Sequence, residues 1–312
     1  MPELPEVETI RRQLAPEVAG RRIESVEILD ERLTRPVAPK RVERALSGRA
    51  IESVGRRGKY LILHLEGERA LALHLRMTGN LLLRPAGDGT VADLMEVDRF
   101  GGPRLYESHP ELRHLRARFT LDDDSELLFT DVRRFGQAVV LADEAELESY
   151  FNARLGIEPL SGELTPEALC RVAAGRTVPL KSFLLTQSTV AGIGNIYADE
   201  ALFRAKLHPL SPAGSLRPEH CEALADGIIE ALEAGLDFGG ASIDDYRDAR
   251  GERGSMQDEF LVHTREGEPC VRCGETIRRI VIGGRSTYYC PGCQIRLRRR
   301  AKRRRRSRAA KR

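Results

Sequence analysis

A secondary amine beside a carboxylate pairs a nucleophile with an acid, and the chain opens on that pair in Met1-Pro2-Glu3-Leu4-Pro5. Removal of Met1 is expected ahead of a residue as small as proline, and it leaves Pro2 with a free imino terminus. An α-amino group titrates at about 7.7 to 8.0, so a useful fraction is neutral at physiological pH where a lysine is not. Attack of such an amine on a sugar or carbonyl carbon gives a cationic iminium. Pro2 and Glu3 are therefore candidate catalytic residues; the alternative is a frayed terminus whose Pro5 merely starts a helix. A second set is Cys270-Val271-Arg272-Cys273 and Cys290-Pro291-Gly292-Cys293, with sixteen residues between the pairs. That is the spacing of a four-thiolate zinc site. Four protein ligands leave no open position, so the metal is expected to be one structural Zn²⁺ stapling a small β-hairpin. Gly283-Gly284-Arg285 falls at the expected hairpin tip, presenting Arg285 as a candidate at the catalytic centre, a phosphate contact or a solvated turn residue. Cys170 and Cys221 are expected to be inert helical core residues.

The elements that must hold these groups follow from periodicity. Residues 5–15 read as a helix, with Pro5 in its first turn, Glu6 and Glu8 at its positive end and Val7, Ile10 and Leu14 on one face. Its N-terminus points at Pro2 and Glu3. Short strands are expected at 22–29, 50–54, 60–65, 71–75, 118–121 and 127–132. These predict a β-sandwich within an α+β protein. Residues 85–110 lack periodicity and read as an insertion. From 143 the pattern becomes helical: 144–153, a helix capped by Thr165 ahead of Pro166 and stopped by Gly175, then 182–187, 195–205 with Asn195 as cap, and 218–234 ending at Gly235. Residues 237–258 read as a mobile loop. The division expected is 1–148 for the sandwich, 149–160 for a linker, 161–264 for the helical part, 265–293 for the zinc finger and 294–312 for a disordered basic tail.

Composition narrows the class. The 312 residues are 41% hydrophobic and carry a formal charge of +3, yet twelve of the 50 Lys and Arg fall after residue 293 with no acid among them. The remainder is net negative. No apolar run is long enough to span a bilayer and no leader precedes the first helix, so a soluble, cytoplasmic protein without membrane contact is expected.

Taken together, the motifs resemble the bacterial formamidopyrimidine-DNA glycosylases. They are Pro-Glu-Leu-Pro-Glu-Val-Glu-Thr from Pro2, Arg57-Gly58-Lys59-Tyr60-Leu61, His74-Leu75-Arg76-Met77-Thr78-Gly79, Asp131-Val132-Arg133-Arg134-Phe135-Gly136, Leu155-Gly156-Ile157-Glu158-Pro159-Leu160, the loop Val190-Ala191-Gly192-Ile193-Gly194-Asn195-Ile196-Tyr197, and the cysteine pairs. The resemblance spans residues 1–293 and implies a helix-two-turn-helix fold for the helical part. It implies a DNA glycosylase and abasic-site lyase of base excision repair, removing oxidised purines such as 8-oxoguanine and formamidopyrimidines from double-stranded DNA as a nucleoid-associated monomer. Pro2 would attack C1′ of an extruded nucleotide, Glu3 would protonate the ring oxygen, and a Schiff base would break down by β,δ-elimination. Lys59 would sit near the amine, where an arginine, never deprotonated in a protein, could not shuttle a proton. Met77 and Phe135 would fill and wedge the emptied stack, and Arg133 would hold the estranged base. Arg134, His114, Arg176, Lys181, Asn195 and Arg285 would contact phosphates, fixing register without reading sequence.

Three features depart from the family pattern. Ser255-Met256 and His263-Thr264 stand where an aromatic and Tyr-Gly are usual, residues 85–110 are inserted, and the arginine-rich tail is appended. The loop at 239–257, assigned to lesion recognition in the family, therefore leaves base preference open. Two rivals remain: an endonuclease VIII-like glycosylase for oxidised pyrimidines, and a zinc-ribbon DNA-binding protein without catalysis. The tail is expected to tether DNA nonspecifically through counterion release.

Overall fold

The computed structural model describes residues 2–87, 114–243 and 246–298. Most of the expected insertion, Met1 and the basic run from residue 299 lie outside the described residues. Alternation of apolar side chains builds two antiparallel four-stranded sheets. One orders β1 (Ile23–Ile28), β6 (Leu115–Leu121), β7 (Glu126–Asp131) and β5 (Gly79–Arg84); the other orders β2 (Ile51–Arg57), β3 (Tyr60–Leu65), β4 (Arg69–His74) and β8 (Gln137–Leu141). Leu61, Leu63 and Leu65 point from β3 into a core shared with Val26, Leu81, Phe119 and Phe129 of the other sheet. The sheets thus form a sandwich, each burying the period-two face that its strands carry.

Helix α1 (Leu4–Val18) carries Pro5 in its first turn and lays Val7, Ile10, Leu14 and Val18 into the same core. The opposite face of β3 offers Tyr60 and Ile62 to Leu147 and Phe151 of α3 (Glu144–Asn152). That helix runs unbroken across the division expected between 148 and 149. Among the described residues, the α-helix α2 (Pro39–Leu46) and the strands β5 and β8 were not expected from the sequence. Only Val42 and Leu46 of α2 are buried, too few for a periodicity signal.

The helical part comprises α4 (Pro166–Ala173), α5 (Leu180–Leu185), α6 (Asn195–Arg204) and α7 (Pro218–Asp237). Thr165 caps α4 by accepting the Ala168 N–H, as expected. Gly235 does not end α7, which continues to Asp237. It is a close-approach glycine, because a Cβ there would lie 2.5 Å from Tyr197 Oη. Cys170 and Cys221 are joined by a disulfide between α4 and α7, correcting their reading as inert thiols. Residues 237–258 are not free of the body: Tyr246 and Ala249 are buried in the sandwich core, and Leu83 donates to the Ala249 carbonyl.

The hairpin β9 (Arg278–Ile282) and β10 (Arg285–Tyr289) carries the second cysteine pair at its end. Residues 294–298 are not a disordered tail. Gln294 accepts from Cys290 N–H and donates to the Leu207 carbonyl, Ile295 donates to Lys206, and Leu297 donates to Ser211 Oγ. Two truncations separate anchor from tail. Removing 299–312 is expected to leave the thermal midpoint unchanged while flattening the salt dependence of nonspecific DNA binding. Removing 294–312 is expected to lower the midpoint as well, read by calorimetry and a fluorescence titration across salt.

Candidate active site

A carboxylate at 2% exposure must find donors, and Glu3 finds them on another element. Its Oε2 accepts Gly194 N–H at 2.7 Å and Tyr197 N–H at 3.5 Å; its Oε1 accepts Ile196 N–H at 3.1 Å. These are amides at the start of α6, the groups a helix leaves without internal partners and the end that favours negative charge. Gly194, not Asn195, is the cap residue. Only glycine fits there, since a Cβ would stand 2.2 Å from Glu3 Cδ. At Gly192, with φ +83°, a Cβ would lie 2.5 Å from Leu4 Cδ1, and its carbonyl accepts Leu4 N–H at 3.0 Å. The loop 190–194 is thereby wrapped on the chain start, where Pro2 is also buried.

Glu6 is a second buried acid beside Glu3, and the sequence was read only as placing it at a favourable helix end. It accepts Glu3 N–H at 2.7 Å, Tyr197 Oη at 2.7 Å and Ala241 N–H at 2.8 Å. Burial, and then the charge of Glu3, push its carboxyl up from the ordinary range. The signal that could have found it is the three-residue spacing of an acid from the residue before a helix.

Lys59 is the second residue of the turn joining β2 to β3 and is 5% exposed. Burial pushes its ammonium down, while Glu3 and Glu6 oppose that shift and Arg285 adds to it. Those interactions put Lys59 within electrostatic reach of both acids and of the zinc hairpin. Arg285 itself is the first residue of β10, exposed; the tip is Gly283-Gly284, both at positive φ. The turn at Lys59 rests on Arg56, Glu8 and Glu158, to which sequence reasoning assigned no part in the site.

Three residues expected to fill a duplex lie together on the sandwich rim. Met77 is half-buried after β4, while Arg133 and Phe135 are exposed after β7, with the Arg133 guanidinium 4.9 Å from the centre of the Phe135 ring. Thr78 ties the two loops: its hydroxyl donates to Asp131 Oδ1 and accepts Arg133 N–H at 3.0 Å. Phe135 is 51% exposed and so is not core. Arg134, at φ +60°, is engaged by Asp30 through both Nε and Nη2. His114 is half-buried, with its carbonyl accepting Asp131 N–H. Arg176 is exposed after α4, Nε donating to the Val172 carbonyl. Asn195 Nδ2 donates to the Ser286 carbonyl of the hairpin at 3.0 Å.

Lys181 does not reach the surface. It is fully buried, with Nζ 2.6 Å from Asp199 Oδ1 and 2.7 Å from the Asn195 carbonyl, so the expectation of a phosphate contact fails. Asp199 also accepts or shares a proton with His263 Nδ1 at 2.8 Å. Exposing such a lysine would leave a buried carboxylate short of its partner, a loss of about 3–5 kcal/mol.

The four cysteines converge as expected. Their sulfurs lie within 4.8 Å of one another, with Cys270–Cys293 at 3.8 Å and Cys273–Cys290 at 3.5 Å. A tetrahedral site with Zn–S near 2.3 Å has S–S edges of about 3.8 Å. The donor set and spacing fit a structural zinc.

Comparison with known proteins gives the same architecture. Residues 1–138 match the formamidopyrimidine-DNA glycosylase N-terminal domain, 155–247 its H2TH domain, and 267–295 a zinc finger found in FPG and IleRS. The formamidopyrimidine-DNA glycosylase of Chloroflexus aurantiacus is 43% identical over 95% of this chain and 98% of its own, and that of Heliobacterium modesticaldum 44% identical over 94% and 100%. Among solved structures, a Lactococcus lactis Fpg with an abasic site containing DNA superposes with a TM-score of 0.79 at 33% identity, covering 94% of this chain and 100% of that one. A MutM in complex with carbocyclic 8-oxo-G containing DNA gives 0.79 at 34% identity, covering 94% and 99%.

Two measurements check the geometry. Purified protein is expected to hold one zinc per chain by atomic absorption, and chelation to raise amide exchange across 265–298 while the sandwich strands stay protected. Glu8, hydrogen-bonded by Arg11 and Arg56, is held at about 2 against an ordinary 4.5 despite burial. A depressed carboxyl stabilises fully above its unfolded pKa and loses that contribution as pH falls through the folded value. Between pH 4.5 and 2, the thermal midpoint of Glu8→Gln should therefore fall less steeply than that of the parent.

Proposed function

The chain belongs to the formamidopyrimidine-DNA glycosylase family, and from that membership we propose how its residues carry out base excision. The protein is a zinc-finger DNA glycosylase and abasic-site lyase of base excision repair. Pro2, once Met1 is removed, attacks C1′ of the extruded nucleotide as the glycosidic bond breaks and the base departs with the bonding pair, taking a proton from solvent. Attack leaves a proton on the proline nitrogen. Glu3 receives it and returns it to O4′ as the C1′–O4′ bond opens, leaving an iminium between Pro2 and the open sugar. Loss of the C2′ proton then eliminates the 3′ phosphate, and a second elimination removes the 5′ phosphate. Lys59 exchanges protons beside the amine, a task suited to a lysine whose ammonium is destabilised by burial.

The observation that carries this reading is the buried Pro2-Glu3 pair held by the start of α6, with the buried Lys59 within electrostatic reach of Glu3. Met77, Arg133 and Phe135, on one rim and linked through Thr78, suit the filling of the gap left in the duplex. Arg176, Asn195, His114 and Arg285 are the proposed phosphate contacts, with Arg285 also beside the reacting sugar. Arg134 joins them on release from Asp30. Oxidised purines are the proposed substrates, and the curated relatives are named for formamidopyrimidine. Action as a monomer is part of this proposal. No helix among the described residues is long and apolar enough to cross a membrane, in keeping with a cytoplasmic, nucleoid-associated enzyme.

Strand nicking on duplexes carrying 8-oxoguanine or an abasic site tests the assignment. Glu3→Gln is expected to lose about 100-fold or more on both, and Lys59→Ala to lose more on the base-bearing duplex than on the abasic one. Parental rates in both variants would remove these residues from the mechanism.

A further inference from the structure

The turn that presents Lys59 is suspended from a residue of the segment joining the sandwich to the helical part. Gly58 stands at φ +56°, and a Cβ there would lie 3.3 Å from both Ala191 Cβ and Leu155 Cδ1. Glu158, 4% exposed, accepts Gly58 N–H on Oε2 at 2.7 Å and Arg56 Nη1 on Oε1 at 2.8 Å. Arg56 Nη1 donates again to the Gly58 carbonyl at 3.0 Å, and its Nε reaches Glu8 of α1 at 3.0 Å. Both backbone polar groups of Gly58, its N–H and its C=O, are therefore fixed by one buried carboxylate and its guanidinium partner. A second, outer tie runs from Glu163, which accepts Glu158 N–H at 3.0 Å and pairs with Arg57 at 3.1 Å.

The same segment is zipped to the loop that holds Glu3. Gly156 donates to the Gln187 carbonyl at 2.9 Å, Ile157 donates to Thr189 at 3.1 Å, and Ala191 donates back to Ile157 at 2.8 Å. A Cβ at Gly156 would meet Thr189 O at 2.4 Å, so the two backbones cannot be spread by a side chain. Three residues beyond Ala191, Gly194 binds the Glu3 carboxylate. One strip of chain thus touches the Lys59 turn on one side and the Glu3 cradle on the other.

We propose that Glu158 is a positioning residue that sets Lys59 against the Pro2-Glu3 pair by clamping the Gly58 turn to the interdomain segment. Glu158 acts through Lys59 and touches neither sugar nor base. The inference rests on the assignment of Lys59 to the reaction. A glutamine at 158 has one acceptor where two donors converge, so an amide N–H would face either Gly58 N–H or Arg56. The turn would shift, and a displacement near 1 Å at a reacting group is worth up to about 100-fold in rate.

A double-mutant cycle tests this, using the full chain with its zinc, single-turnover excision of 8-oxoguanine and a separate measurement of duplex Kd. Glu158→Gln is expected to slow the chemical step between about tenfold and about 100-fold at unchanged Kd. In the Lys59→Ala background the same change is expected to cost less than about twofold, because the group being positioned is gone. Should Glu158→Gln lower the melting temperature too far for assay, Arg56→Lys replaces it in the cycle, withdrawing the guanidinium fork while leaving the Gly58 acceptor. A full loss in both backgrounds, or no loss in either, overturns the proposal. An unimpaired Lys59→Ala chain instead overturns the assignment of Lys59, which separates the two failures.

Discussion

Burial of the Glu3 carboxylate is the constraint from which the arrangement of this protein follows. A carboxylate removed from water costs several kcal/mol unless other groups supply donors. The amides at the start of α6 do, nearly 200 residues later in the chain. Helix α6 must therefore begin against the chain start, the loop before it must approach closely, and that approach admits only glycine at 192 and 194. The helical part is docked on the sandwich by the same contacts that organise the site.

Buried ionisable groups then lie within electrostatic reach of one another. Glu6 is driven up by burial and by Glu3, while Lys59 is driven down by burial and partly restored by both acids. Opposite shifts imposed by one environment are the pattern by which acid and base roles are set apart within a site. The zinc hairpin adds Arg285 from a third direction, and Asn195 is linked to that hairpin through Ser286. Sandwich, helices and finger each bring one part of a site that none of them contains alone.

Legibility followed the range of the interactions. The four thiolates were readable, and the proposed nucleophile, acid and lysine could be named, because such chemistry is carried by residue type and short spacing. Strands β3, β4 and β7 were readable because a period-two apolar face is a local property. Glu158, Arg56 and Glu8 were not, since the contacts that join them to one another span 48 to 102 residues and each looks like a surface charge in sequence. Lys181 failed for the complementary reason: a lone lysine near a DNA-facing loop reads as a phosphate contact, and only the buried Asp199 reveals an internal pair. Gly235 was read as a stop because close approach to Tyr197 leaves no trace in local sequence.

Covalent capture addresses the central claim most directly. Protein whose first residue is Pro2 would be incubated with an abasic-site duplex and sodium borohydride, digested, and the cross-linked peptide sequenced by mass spectrometry. The account predicts reduced sugar attached to the Pro2 nitrogen and to no lysine. An adduct on Lys59 or elsewhere, or no adduct from correctly processed protein, would contradict it.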